Sequence, residues 1–184
     1  MGSLFVPFQN NHYNSLCMMK SIIQKAVINI APLPNPYTPA QKTAYVKALQ
    51  ENIAEELNNT GYKVSPEFDL FSSGAGKIKT NDKADIYASN DDEEIIIELD
   101  TIRADQVAKK ALSRFCFPIV NADNRKFIYV ALLYPGTNSM NGNECQKYFH
   151  YASTLLKNIS IGKRQVMFIG GIIDKNTGKV SFYY

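Results

Sequence analysis

Three carboxylates in this chain fall where a divalent cation could be held. The segment KADIYASNDDEEIIIELDTIRADQVAKK, residues 83–110, reads as a strand, a tight turn, a second strand and a helix. With the turn centred between Asp91 and Asp92, residues whose numbers sum to 183 face each other, so Asp85 lies opposite Glu98. Cross-strand partners share a face of the sheet, with Cβ atoms roughly 4.5–5.5 Å apart. Strand side chains alternate, so Asp100 joins Glu98 on that face while Ile95, Ile97 and Leu99 take the other. Three converging carboxylates repel one another unless positive charge sits between them, and a divalent metal is the usual solution. Asp85, Glu98 and Asp100 are therefore the expected metal ligands. A structural role competes at Asp100, which stands beside the start of the next helix, where the helix dipole favours an acid.

Other polar residues fall near this patch. After Thr101, which is placed to cap a helix from about Ile102 to Phe117, Arg103, Gln106, Lys110 and Arg114 make one stripe. Ala104, Val107, Ala108, Ala111, Leu112 and Phe115 make an apolar stripe on a separate face. Upstream, FSSGAGKIKTND is a glycine- and lysine-bearing loop without P-loop spacing. Lys77, Lys79 and Lys83 are candidates there for contact with a nucleic-acid backbone, against the plainer reading of a solvated connector. Arg103 and Gln106 are further candidates, against that of a wet helix face.

The elements that position these residues are legible from pattern. Residues 14–30 favour a helix, though their β-branched residues would also suit a strand. Prolines 32, 34, 36 and 39 make an extended connector, so residues 1–37 are expected to form an arm and residues 38–184 a single domain. That arm either packs on the domain or pairs with a second chain. Thr38-Pro39 opens a helix that Gly61 ends, with the stripe Tyr45, Leu49, Ile53 and Leu57. Glu56 falls inside that stripe and needs a partner, since an unpaired buried carboxylate is costly. YKVSPEFDLF is strand-like, and RKFIYVALLYP lacks polar alternation, as a doubly covered central strand does. A helix at 143–159 and two strands joined by KNTG complete the order. The fold class expected is α/β (α+β): a central mixed sheet flanked by helices.

Bulk properties exclude more than they select. The chain has 184 residues, net charge +3 and 45% hydrophobic residues, which suits one soluble domain with a real core. Its basicity is compatible with a polyanionic partner without requiring one. Three scattered cysteines form no CxxC pair, which argues against a zinc knuckle or disulfide framework and for a reducing, cytoplasmic setting. Two isolated histidines give little support to a histidine metal site or a Ser-His-Asp triad. No run approaches the ~18 apolar residues of a membrane span, and the first residues lack the basic region of a signal peptide.

Asp85 on one strand and Glu98-Leu99-Asp100 on the next, in this order of elements, resemble the restriction-endonuclease-like, or PD-(D/E)XK, nuclease superfamily. The resemblance covers about residues 40–135 and is one of pattern more than of sequence. It implies an αβββαβ core in which Asp85 matches the family's Asp and Glu98 its acid. Glu56 matches a helical glutamate that often completes the site. Asp100 stands where the family keeps a lysine. Water activation then falls to the metal alone or to a lysine displaced elsewhere. Lys110 is the best displaced candidate, with Lys109 on its flank and Lys83 on the adjacent strand.

The resemblance thus implies a Mg²⁺- or Mn²⁺-dependent nuclease, with DNA expected ahead of RNA. Arg103 or Lys110 would clamp a non-bridging phosphate oxygen. Nucleases that cut both strands often dimerise, which makes a homodimer one expected form. The alternative is a catalytically inactive nuclease fold that binds nucleic acid or a protein partner, which the missing strand lysine favours. A structural or assembly protein is a third reading, resting on the N-terminal arm.

Overall fold

The computed structural model describes residues 8–34, 36–71, 82–120, 123–136, 141–158, 164–174 and 176–184. In chain order the elements are α1 (Phe8–Ile28), α2 (Pro39–Asn59), β1 (Lys63–Asp69), β2 (Lys83–Ser89), β3 (Glu93–Thr101), α3 (Ala104–Val120), β4 (Lys126–Tyr134), α4 (Gly142–Asn158), β5 (Val166–Ile173) and β6 (Val180–Tyr183). The six strands form one sheet in sequence order. β1, β2 and β3 run antiparallel, β3, β4 and β5 parallel, and β5 and β6 antiparallel. The mixed sheet flanked by helices expected from the sequence is the architecture found.

Local chemistry accounts for the main boundaries. Thr38 caps α2 with a full capping box: its hydroxyl accepts the Gln41 N–H at 3.2 Å, and the Gln41 carboxamide accepts the Thr38 N–H at 2.8 Å. Gly61, at φ +90°, lets the chain leave α2 for β1. The hairpin turn between β2 and β3 is held by Asn90, whose side-chain oxygen accepts the N–H groups of Asp92 and Glu93 at 2.9 and 2.8 Å.

The sheet separates two cores. On one face α1 and α2 bury Ile23, Leu49, Ile53 and Leu57 against Ile86, Ile95, Ile97, Leu99 and Val130. On the other, Val107, Ala111, Phe115 and Phe149 pack against Ile96, Phe127, Tyr129 and Phe168. β4 lies between them and is buried almost throughout, as its unbroken apolar run requires. Gly170 leaves room for Phe149, since a Cβ there would stand 2.5 Å from the Phe149 ring.

Of the two alternatives for the segment before the prolines, packing on the domain is the one found: Met19, Ile22, Ile23, Ala26 and Val27 of α1 are buried in the same core as α2. The prolines separate two helices of one layer. Two expectations need correction. The helix after β3 is shifted downstream. Ile102 still bonds its N–H to the Tyr134 carbonyl at 3.0 Å, so Thr101 belongs to the sheet and α3 begins at Ala104. Its far end passes through Pro118, which in the last turn forfeits only one intrahelical bond. Finally, Leu112 is 70% exposed and does not join the apolar stripe.

Candidate active site

The register expected for the hairpin is the register observed. Ile86, Tyr87, Ala88 and Ser89 pair with Ile97, Ile96, Ile95 and Glu94. The ladder ends at Ile86–Ile97, and one residue further the Asp85 side chain replaces it, with Oδ2 accepting the Leu99 N–H at 2.6 Å. The β1–β2 ladder skips the same level, and Glu67 there has φ +50°, rare for a residue with a side chain. From α2, Gln50 Nε2 donates to the Asp85 carbonyl at 2.5 Å. Asp85 is thus fixed where β2 ends its pairing with β3 and skips one level of its pairing with β1.

Glu98 and Asp100 meet α3 on the other side. A strand–helix–parallel strand unit sends its helix back over the sheet, antiparallel to the strand before it. Six residues into α3 returns the chain by roughly 9 Å, and three residues of strand span roughly 10 Å. Lys110 therefore lies level with Glu98. Its Nζ is 2.5 Å from Glu98 Oε2, 2.8 Å from Asp100 Oδ2 and 4.0 Å from Asp85 Oδ2. The three acids singled out in the sequence thus converge on one point, and the helical lysine reaches it.

Arg114, one turn beyond Lys110, supports Glu98 from below. It is 1% exposed, its Nε donates to Glu98 Oε1 at 2.6 Å, and its Nη1 contacts Asp82 Oδ1 at 2.7 Å. A third bond runs from Nη2 to the Lys83 carbonyl at 2.9 Å. Among the described residues, four acids (Asp82, Asp85, Glu98 and Asp100) therefore share two cations, Lys110 and Arg114. Burial pushes Glu98 up to about 7 despite Lys110 and Arg114, with Asp85 adding to the rise. Burial also raises Asp85, opposed by the Leu99 N–H and Lys110 and reinforced by Asp100 and Glu67. For Lys110 burial acts against the charge, yet Glu98 and Asp100 hold the ammonium well above its usual range. It stays protonated at any physiological pH.

The remaining candidates fall elsewhere. Glu56 is 4.0 Å from Lys25 of α1 rather than at the site, because α2 has a helix beside it as well as a sheet beneath it. Arg103 pairs with Asp105 at 2.7 Å, and the Gln106 side chain donates to the same carboxylate at 3.0 Å. Both lie on the outer side of the first turn of α3, apart from Lys110 and Arg114, so the single polar stripe divides in two. Lys83 has an exposed side chain. Lys77 and Lys79 lie outside the described residues. Sequence reasoning gives no role to Asp82, Gln50 or Glu67, and it places Arg114 on the polar stripe without a role at the site. Arg114 alone had a signal, its position four residues after Lys110.

The donor set suits a hard cation, being carboxylate oxygens with unbalanced negative charge. Tyr129, on the Glu98 side of the sheet, adds a fully buried hydroxyl without a hydrogen-bond partner among the described residues. Against this, among the described residues no three acid, histidine or cysteine side chains are already spaced around a point as metal ligands. The point of convergence carries the Lys110 ammonium instead. A cleft of about 730 Å³ opens at the opposite end of β3, lined by Ser15, Tyr62, Asp92, Glu93 and Lys126 among others. Glu93 is tied there to Ser15, Tyr62 and Lys126, so that end lacks a comparable charge excess.

Comparison with family models, with curated proteins and with solved structures finds no match. Among the described residues, no helix is long and apolar enough to cross a membrane.

Proposed function

We propose that this protein is a divalent-metal-dependent nuclease with a restriction-endonuclease-like core, acting on DNA ahead of RNA. The observation that carries this reading is the charge excess at the end of β3, where four acids share two cations and Lys110 marks where three of the acids meet. Asp85, Glu98 and Asp100 would hold Mg²⁺ or Mn²⁺. The bound ion would neutralise charge on the phosphorane oxygens and lower the pKa of a water. Lys110 takes the place of the lysine that Asp100 displaces from the strand. Held protonated, it acts as a cation and proton donor toward a phosphate oxygen or the leaving oxygen, and not as a base. Arg114 keeps Glu98 oriented, and Gln50 and the Leu99 N–H do the same for Asp85.

The expected result is cutting of plasmid DNA with Mg²⁺ or Mn²⁺, lost by a factor on the order of 10² or more in Asp85→Ala, Glu98→Ala and Lys110→Ala with the fold retained. No cutting of DNA or RNA by the wild type with either metal would refute the reading.

A second reading, a nuclease fold without catalysis that binds nucleic acid or a protein, draws on one observation. Lys110 already closes the centre with two short ion pairs. That reading predicts nucleic-acid binding or partner capture that survives Asp85→Ala.

A further inference from the structure

A centre with excess negative charge repels a polyanion, so a nucleic-acid strand needs cations beside it that the acids do not consume. On the α3 side the exposed Lys109 is the one basic side chain without an ion pair among the described residues. Lys110 and Arg114 are engaged by Glu98, Asp100 and Asp82, and Arg103 by Asp105. The α2 side differs. α2 passes the centre with Gln50 bonded to Asp85, and eight residues earlier Lys42 lies in its first turn. Those eight residues span roughly 12 Å of helix.

Lys42 Nζ sits 6.0 Å from the centroid of the Tyr134 ring, and no ion pair involves it among the described residues. Tyr134 ends β4 beside Thr101, the residue after Asp100, and its ring lies 6.0 Å from that of Tyr45. Burial raises the Tyr134 hydroxyl first; Asp100, Tyr37 and Asp85 raise it further, and Lys110 opposes them. The stem of Lys42 is half-buried, so the ring restricts where its charge can point. The first turn of α2 adds the positive end of a helix dipole.

We infer that Lys42 is a substrate-positioning residue that holds a nucleic-acid phosphate next to the scissile one, on the α2 side of the centre. This rests on the nuclease reading above. Lys42 touches none of the acids, so its contribution is to binding and not to the chemical step.

The test measures binding of a fluorescein-labelled DNA duplex in EDTA across a range of salt concentrations, together with steady-state cutting in Mg²⁺. Lys42→Gln is expected to weaken binding about tenfold. It should also reduce the steepness of log Kd against log salt by about 0.9, the loss of one phosphate contact. KM should rise with kcat within about twofold, Mn²⁺ affinity should not change, and Lys42→Arg should restore the salt slope. Lys147→Gln, which removes an α4 lysine paired with Glu144, is the charge-matched control and should leave the slope unaltered. A wild type that binds and cuts, with an unchanged slope in Lys42→Gln, overturns this inference and leaves the nuclease reading standing. An equal fall in Lys147→Gln overturns it too, because the effect would then be one of net charge. A wild type that neither binds nor cuts overturns both.

Discussion

At its start β3 buries Glu93 and Glu94, and at its end it carries Glu98 and Asp100, roughly 17 Å away. The first pair is closed. Glu94 contacts Arg125 at 2.8 Å, Arg164, and the Tyr87 hydroxyl at 2.6 Å. Glu93 contacts Lys126 at 3.4 Å and the hydroxyls of Ser15 and Tyr62, each at 2.5 Å. With Asp123 on Arg125, three acids face three cations. The second pair belongs to a centre that holds, among the described residues, four acids and two cations. One strand thus shows both uses of a buried carboxylate. Matched charge ties α1, the hairpin and the start of β4 and β5 together, whereas unmatched charge is the basis on which a cation site is proposed.

The contrast breaks most visibly under substitution. Glu94→Ala takes from Arg125 and Arg164 a buried partner, and should destabilise folding by about 3–5 kcal/mol in chemical denaturation. Glu98→Gln should cost far less, because Arg114 keeps Asp82 and the Lys83 carbonyl while Lys110 keeps Asp100. Equal losses at the two ends would remove the distinction. A smaller effect is a difference in the sign of pH dependence. Glu98 is raised from 4.5 to about 7 in the folded state, so its contribution to stability is complete below pH 4.5 and is lost as pH rises toward 7. Asp123 is lowered from 3.8 to about 2 by Arg125, so its contribution is present above pH 3.8 and is lost as pH falls toward 2. Metal-free protein should therefore lose stability between about pH 4.5 and 7, and Glu98→Gln should flatten that slope without altering the loss in acid. The smallest effect expected is at Arg103, whose pair with Asp105 is exposed, so that Arg103→Ala should leave stability almost unchanged in chemical denaturation. A larger loss of stability in Arg103→Ala would show that the outer side of the first turn of α3 carries more than a solvated ion pair.

The sequence made the hairpin, its register and the division of β3 into two faces legible, because each follows from alternation and one turn. It also pointed to Lys110 as a cation for this patch, and Lys110 does contact Glu98 and Asp100. It did not reveal that α3 folds back over β3 closely enough to place Arg114 beneath Glu98, since that depends on two elements lying antiparallel. Glu56 was misplaced for a related reason. Helical periodicity tells which residues lie inward and not whether a sheet or a neighbouring helix receives them, and α1 receives Glu56. Glu93 and Glu94 read as an acidic run beside a turn, and only Tyr62, Arg125 and Arg164, distant in sequence, make them a buried network.

The most direct test is calorimetric titration of Mn²⁺ into metal-free wild-type protein and into Asp85→Asn and Glu94→Gln, the last provided it remains folded. Saturable binding to the wild type, retention in Glu94→Gln and loss in Asp85→Asn are the expected results. Absence of binding to the wild type, or binding that Asp85→Asn leaves intact, would contradict the claim that the open end of β3 is a cation site.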